Sequence, residues 1–330
     1  MIRNIYIILL FALSFSQPID FEHNGLIRQY FLHQPDSIQE NSPIVFALHG
    51  YGGGPNWMIN NTGMNDIANQ NGFVVCYPKG TLDDWNNRFW NVGYDFHENI
   101  EVDDVDFLLS LANYLQITYG YNPEQTFVTG MSNGGDMSYM LGCQASDVFQ
   151  SIAPVAGSMM LEVYNTCETS PISVFEIHGT DDNITLWDGD MENNDGWGSY
   201  LSTLEGIIFW AGNNECQSSE SLQGDNYIHH RYFNCVDSKE VWLYEIVGGG
   251  HDWPNYASQE IWSFFSSFID FTIGDVNLDN EINILDVVLI ISFILGEAST
   301  EHEFSAADIN QDSLLDVLDI VLIINIILNN

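Results

Sequence analysis

Six basic residues stand against forty-six acidic ones in 330 residues, a formal net charge of −40. That excess excludes most nucleic-acid binding, because a phosphate backbone repels such a surface and the Lys and Arg needed to displace counterions are missing; an anionic membrane surface is disfavoured for the same reason. With 45% hydrophobic and 13% aromatic residues the chain can bury a large core, which excludes wholesale disorder.

Residues 1–16 read as a secretory signal. Arg3 supplies the positive start, an apolar run over 5–15 is broken only by Ser14, and Ser14 and Ser16 sit at −3 and −1 of a cut before Gln17. The run is too short for a membrane anchor, which takes about 20 apolar residues. Export implies oxidising conditions and free calcium.

From 17 to about 272, β-type runs alternate with helical ones. In chain order the pattern predicts a strand over 44–48, a helix over 64–70, a strand over 73–77 and a helix over 102–117. A strand over 126–129, a helix over 136–145 and strands over 152–155 and 172–177 follow. A helix over 200–211, a strand over 241–246 and a helix over 258–268 complete the series. The strands are continuous β-branched or aromatic runs, as expected of parallel strands covered on both faces. The fold class is therefore α/β, with a mostly parallel sheet and helices on both sides.

Chemistry-bearing residues fall at the ends of these strands. The first run leads into Leu48-His49-Gly50-Tyr51-Gly52-Gly53-Gly54, where small residues let backbone N–H groups approach a substrate oxyanion. The run from Thr126 passes into Gly130-Met131-Ser132-Asn133-Gly134-Gly135, a strand, a sharp turn and a helix. Gly130-x-Ser132-x-Gly134 is the nucleophile-elbow spacing, which pushes a Ser hydroxyl out at the top of a sheet above a helix N-terminus. We assign the oxyanion hole to the backbone N–H groups of Asn133 and Tyr51. An acid and a histidine should follow the serine in that order. The run over 172–177 ends in His178-Gly179-Thr180-Asp181-Asp182, which offers two carboxylates that spacing alone does not separate. The run over 241–246 ends in Gly248-Gly249-Gly250-His251, a histidine on a glycine-rich loop. His49 and His178, each on a strand end before Gly, shape loops, and His229 and His230 lie in a surface hairpin. The candidate triad is Ser132, Asp182 and His251.

Together these pieces, with Tyr77-Pro78-x-Gly80, Asp103-Asp104-Val105 and Gly248-Gly249-Gly250-His251-x-Trp253-Pro254, resemble the alpha/beta-hydrolase esterases. The group in question joins feruloyl esterases of carbohydrate esterase family 1 to polyhydroxybutyrate depolymerase-like proteins. The resemblance covers most of 26–270. It implies two-step acyl transfer with no catalytic cofactor, and it favours Asp182, because the family acid sits four residues after the His-Gly-Thr histidine. It also implies a Cys216–Cys235 bridge and fits a Cys143–Cys167 bridge; Cys76 lies inside a strand run and reads as a small buried hydrophobe. Asp136 departs from the pattern, since relatives are often apolar there. Trp85, Trp90, Trp187, Trp197 and Trp253 fall in loops around the sheet top, either stacking on substrate or packing the lid.

The last 57 residues lack Trp, Lys and Arg and carry eleven acids. They contain a repeat: Asp275, Asn277, Asp279, Glu281, Asn283 and Asp286, then Asp308, Asn310, Asp312, Leu314, Asp316 and Asp319, at loop positions 1, 3, 5, 7, 9 and 12. Each copy opens an apolar, helix-length stretch. Position 7 would use its backbone carbonyl. Such a loop wraps one Ca²⁺, a hard cation that takes six to eight oxygens, and unscreened carboxylate repulsion couples metal binding to folding. These residues resemble a type I dockerin, a two-calcium module that binds cohesin domains of scaffold proteins. The usual Gly at position 6 is Asn280 and Ser313 here. Positions 10 and 11, often a Ser/Thr pair that reads the cohesin, are Ile284-Leu285 and Val317-Leu318.

The expected organisation is a signal peptide over 1–16, an esterase domain over 17–272 and a dockerin-like domain over 273–330. The expected protein is a secreted esterase acting on feruloyl or acetyl esters of plant or algal polysaccharide. The alternatives are a polyhydroxyalkanoate depolymerase and a scaffold-docked binding module with an inactive site.

Overall fold

The computed structural model describes residues 17–35, 38, 41–269, 272–277, 281–297, 299 and 301–329. The signal segment expected at 1–16, the expected calcium ligand Asp279 and the position-6 residue Asn280 lie outside the described residues.

Twelve strands are present among the described residues: β1 (Ile19–His23), β2 (Leu26–His33), β3 (Ile44–Leu48), β4 (Val74–Lys79), β5 (Thr81–Leu82), β6 (Arg88–Phe89), β7 (Thr126–Met131), β8 (Ser151–Val155), β9 (Ser173–Gly179), β10 (Ser218–Gln223), β11 (Tyr227–Phe233) and β12 (Val241–Ile246). Ten of them form one sheet in the order β1-β2-β4-β3-β7-β8-β9-β12-β11-β10, and β5 pairs with β6 apart from it. The six central strands are parallel to their neighbours. An antiparallel pair flanks them on each side. Burial explains the difference. β3, β7, β8 and β9 are buried at every position, whereas β10 is exposed along most of its length. Continuous apolar runs suit strands covered on both faces, and polar sequence suits an edge.

Ten helices accompany the strands: α1 (Pro55–Asn61), α2 (Met64–Asn71), α3 (Asp104–Tyr119), α4 (Asn133–Gln144), α5 (Leu161–Thr166), α6 (Thr203–Asn213), α7 (Ala257–Ser266), α8 (Ile284–Ile294), α9 (Glu301–Ala307) and α10 (Val317–Asn329). Side chains alternate across the sheet. Ile44, Phe46 and Leu48 join Phe107, Leu111 and Trp210 in one apolar layer. Val45 and Ala47 join Met64, Ile261 and Phe265 in the other. Val276, Val287, Ile290, Ala306, Ala307 and Ile323 form a third, small core confined to the C-terminal segment. No helix among the described residues is long and apolar enough to cross a membrane.

Helix starts differ from the sequence pattern for local reasons. α3 begins at Asp104 rather than 102, because Asp103 caps it by accepting the Asp106 amide at 2.9 Å. α6 begins at Thr203 rather than 200, behind a capping box of Ser202 and Glu205. α4 begins at Asn133, directly after the serine. The hairpin carrying His229 and His230 is also not a detached surface feature: β11 extends the main sheet, and the His229 ring packs 4.8 Å from Trp242 and 4.9 Å from Tyr244. Both expected disulfides are present, Cys143–Cys167 and Cys216–Cys235, and Cys76 is a buried free thiol.

Candidate active site

Parallel strands send their C-terminal loops to one sheet edge, where ligands of open α/β sheets bind. β7 delivers Ser132 there, β9 delivers Asp182 and β12 delivers His251. Ser132 has φ 55° and ψ −122°, a left-handed, strained conformation for a non-glycine residue. Neighbouring backbone holds it: its N–H donates to Val155 O at 2.8 Å, and its carbonyl accepts from Gly135 and Asp136 at 2.6 and 2.9 Å. The flanking glycines are required by contact. A Cβ on Gly130 would stand 2.3 Å from Gly134 O, and one on Gly134 would stand 2.3 Å from Leu48 O.

Asp182 is buried and Asp181 exposed. Asp182 Oδ2 lies 2.7 Å from His251 Nδ1, and its Oδ1 accepts the amides of Ile184 and Thr185 at 2.8 and 3.0 Å. Burial pushes this carboxyl up, but the His251 contact and the amides outweigh it, so it sits below its ordinary range. Ser132 Oγ makes no hydrogen bond of ordinary geometry among the described residues. The structure thus joins Asp182 to His251 directly and places Ser132 at the same sheet edge.

The expected oxyanion elements lie beside the serine. An atom at the Cβ position of Gly50 would be 3.3 Å from Ser132 Cβ and 3.9 Å from its Oγ, so the backbone at Gly50 runs alongside the serine side chain. The Tyr51 hydroxyl donates to Asp83 at 2.6 Å and accepts from Asn87 at 2.9 Å, which fixes this turn. The Asn133 side chain brackets the Trp90 backbone: its Oδ1 accepts the Trp90 amide at 2.7 Å, and its Nδ2 donates to the Trp90 carbonyl at 3.0 Å. Trp90 is fully buried and donates its indole N–H to His49 O at 2.9 Å, so it is packing rather than a stacking surface. His49 is neutral, because its Nε2 accepts the Gly80 amide at 3.0 Å and burial lowers its pKa to about 4. It shapes the loop, as the sequence suggests.

Two buried acids are less legible. Glu176, wholly buried within β9, lies 2.9 Å from His178 Nδ1, and His178 Nε2 donates to Thr185 O at 2.9 Å. The pair therefore shares one proton while His178 holds the loop that carries Asp182. Burial pushes Glu176 up to about 7, against the lowering pull of His178. A charged residue inside an apolar strand run was the available signal. Asp136, one turn into α4, accepts from the Tyr94 hydroxyl at 2.5 Å and from the Ser158 amide and hydroxyl at 2.7 and 3.4 Å. Burial pushes it up to about 6, offset by those donors and by the charge of His251. With Ser132, Tyr94, Met160, Trp197 and Tyr200 it borders one cavity.

In the C-terminal segment the two loops match each other. Asp286, wholly buried, accepts the amides of Val276, Asn277 and Asn283 at 2.7, 3.1 and 2.8 Å. Asp319, also wholly buried, accepts those of Ile309, Asn310 and Asp316 at 3.0, 3.5 and 3.0 Å. Asp308 accepts the amides of Asp312 and Ser313, and Asp312, which is exposed, accepts that of Leu314. Ser313 takes the left-handed conformation, φ 66°, that a glycine usually occupies. No three His, Cys, Asp or Glu side chains among the described residues are gathered as a metal cluster. The donors are all oxygens, with a wholly buried carboxylate at position 12 of each loop, and they suit a hard cation.

Comparison with known proteins agrees with this picture. Residues 28–203 match the family model described as esterase PHB depolymerase, and residues 273–328 match the dockerin type I domain, which implies calcium binding. The bifunctional acetylxylan esterase/xylanase XynS20E of Neocallimastix patriciarum is 22% identical over 246 residues, 74% of this chain and 34% of that protein. Feruloyl esterase B of Piromyces equi is 25% identical over 217 residues, 64% of this chain and 39% of that protein. The chain thus spans little more than a third of the length of these two relatives. Among solved structures, the acetyl xylan esterase from Aspergillus awamori superposes with a TM-score of 0.57 at 18% identity, covering 76% of this chain and 98% of that one. That likeness is one of fold.

Proposed function

The chain belongs to the esterase PHB depolymerase family, and we propose that it is a secreted serine esterase that hydrolyses carboxylic esters on plant or algal polysaccharide. The observation that carries the reading is the 2.7 Å Asp182–His251 contact at the sheet edge where Ser132 stands on a left-handed elbow. Ser132 Oγ attacks the ester carbonyl while His251 Nε2 takes its proton. Asp182 keeps the remaining imidazole proton on Nδ1 and stabilises the cation. The Asn133 and Tyr51 amides hold the oxyanion. His251 then protonates the leaving alcohol, and water repeats the sequence on the acyl-enzyme. Acyl transfer by these groups balances without a cofactor.

The tail is read as a docking module, residues 273–330 following an esterase domain over 17–272. It would hold two Ca²⁺, one by Asp275, Asn277, Asp279, Asn283 and Asp286 with the Glu281 carbonyl. The other would be held by Asp308, Asn310, Asp312, Asp316 and Asp319 with the Leu314 carbonyl. Bound calcium supplies the charge that lets these loops close. The partner class is a cohesin-type scaffold protein. The family model's own description favours a second reading, a polyhydroxyalkanoate depolymerase.

The test is hydrolysis of p-nitrophenyl acetate by the purified chain, with Ser132→Ala expected to lose at least about 1,000-fold in kcat. Retained activity in that variant overturns the nucleophile. Acetate or ferulate released from xylan, against hydroxybutyrate released from polymer film, separates the two readings.

A further inference from the structure

Asp136 is a buried carboxyl held by Tyr94 and Ser158 and close enough to His251 for that ring's charge to lower its pKa, yet no step of the proposed mechanism passes through it. It lies one helical turn after Ser132, so both face the same side of α4. Its acceptors are engaged by Tyr94 and Ser158, which fix the carboxyl at the wall of the cavity that Ser132 also borders.

That cavity is small. Its volume is about 20 Å³, room for one or two water-sized groups at roughly 10–15 Å³ each. A polymeric alcohol has to pass the site and continue, which a space for one or two small groups does not allow. The other substituent of the ester carbonyl, the acyl chain, is the part that fits. A wider groove of about 300 Å³, lined by Asp95, Glu162, Asn165 and Ser199 among others, lies across Met160, which borders both spaces.

We infer that Asp136 is the specificity-determining residue of an acyl pocket that accepts short, uncharged acyl groups such as acetyl and refuses aromatic, long or anionic ones. This deepens the esterase reading above and rests on it. Two effects act together. The carboxyl occupies volume that a longer acyl chain needs, and a misfit of one methylene in such a pocket is worth about 10–200-fold. Its charge, in surroundings that exclude water, repels an acyl group bearing a carboxylate.

The experiment uses the full chain and p-nitrophenyl acetate, butyrate and monosuccinate, so that the leaving group never changes. The wild type is expected to lose at least tenfold in kcat/KM from acetate to butyrate. Asp136→Ala is expected to raise the butyrate-to-acetate ratio at least tenfold. Asp136→Asn, which keeps the shape, is expected to leave that ratio within about twofold and raise the monosuccinate-to-acetate ratio tenfold. A merely structural role would lower all three substrates together. Equal wild-type rates on acetate and butyrate overturn the inference. So do unchanged ratios in Asp136→Ala with native circular dichroism. If that variant does not fold, the wild-type ratio and Asp136→Asn decide alone. A wild type that hydrolyses none of the esters and takes no fluorophosphonate label at Ser132 overturns the esterase reading itself.

Discussion

Asp182 joins two histidines. Its Oδ2 stands 2.7 Å from His251 Nδ1 and 3.5 Å from His178 Nε2, with both carboxylate and His178 out of solvent. One histidine emerges from β12 and is partly exposed; the other ends β9 and holds the 182–185 loop from beneath. The orientation of the candidate base therefore depends on β9 twice, through the acid and through the histidine that seats it.

Asp182→Asn removes the acceptor that keeps the proton on His251 Nδ1. The expected loss is about 10,000-fold in kcat, with KM within threefold, because the wrong tautomer blocks proton transfer without emptying the pocket. Steady-state kinetics on p-nitrophenyl acetate measure it.

The Glu176–His178 pair predicts a pH dependence of stability. Burial raises the Glu176 carboxyl from 4.5 to about 7. His178 is also raised: burial opposes this, and the Glu176 contact outweighs it. Both groups bind protons more tightly folded than unfolded, so their contribution is present at low pH and lost as pH rises through the folded values. The melting temperature should fall from pH 5 to pH 8 by at least about 3 °C. Glu176→Gln, which can still donate to His178 Nδ1, should reduce that fall. Glu176→Leu leaves Nδ1 unpaired and should cost about 1–3 kcal/mol. Thermal melts across the pH series check each point.

Asn133→Ala leaves the buried Trp90 amide and carbonyl without the partners they have at 2.7 and 3.0 Å. The expected destabilisation is about 2–4 kcal/mol, read by urea unfolding. Activity should fall with it, because the backbone amide proposed for the oxyanion hole remains but loses the side-chain brace that positions it.

Replacing Cys143 and Cys167 by Ala unties the end of α4 from the chain 24 residues on. A closed loop of that size predicts a loss of about 3 kcal/mol, while kcat at 20 °C should change by less than about threefold. Calorimetry and the ester assay separate the two.

Chelation with EGTA should unfold 275–328 and leave hydrolysis of p-nitrophenyl acetate nearly intact. The third core consists only of tail residues. Circular dichroism alongside the ester assay tests it, and loss of both signals at one chelator concentration refutes the separation.

The elbow was legible because Gly130 and Gly134 are required by backbone contacts 2.3 Å away, and such needs are written locally. The strand cores were legible for a similar reason, as continuous apolar runs. β1, β2 and β10 were not, because strands at the margins of the sheet alternate or turn polar and look like loops. The choice between Asp181 and Asp182 depends on which one β9 turns inward, and spacing does not carry that. Asp136 was seen but unexplained, since its partner Tyr94 lies 42 residues away in the chain. The linking helix α9, with the polar sequence of 301–307, carried no apolar period to announce it.

The outermost strand β10 reads Ser-Ser-Glu-Ser-Leu-Gln, and it is joined to β11 by a pairing that leaves its far side open. A bare sheet edge invites strand addition from neighbouring copies, and hydroxyls and a carboxylate along it offer an incoming strand little reward. Many copies held shoulder to shoulder on one support should therefore stay separate and keep their catalytic edges free, where a Val-rich border in the same place would glue them into fibres.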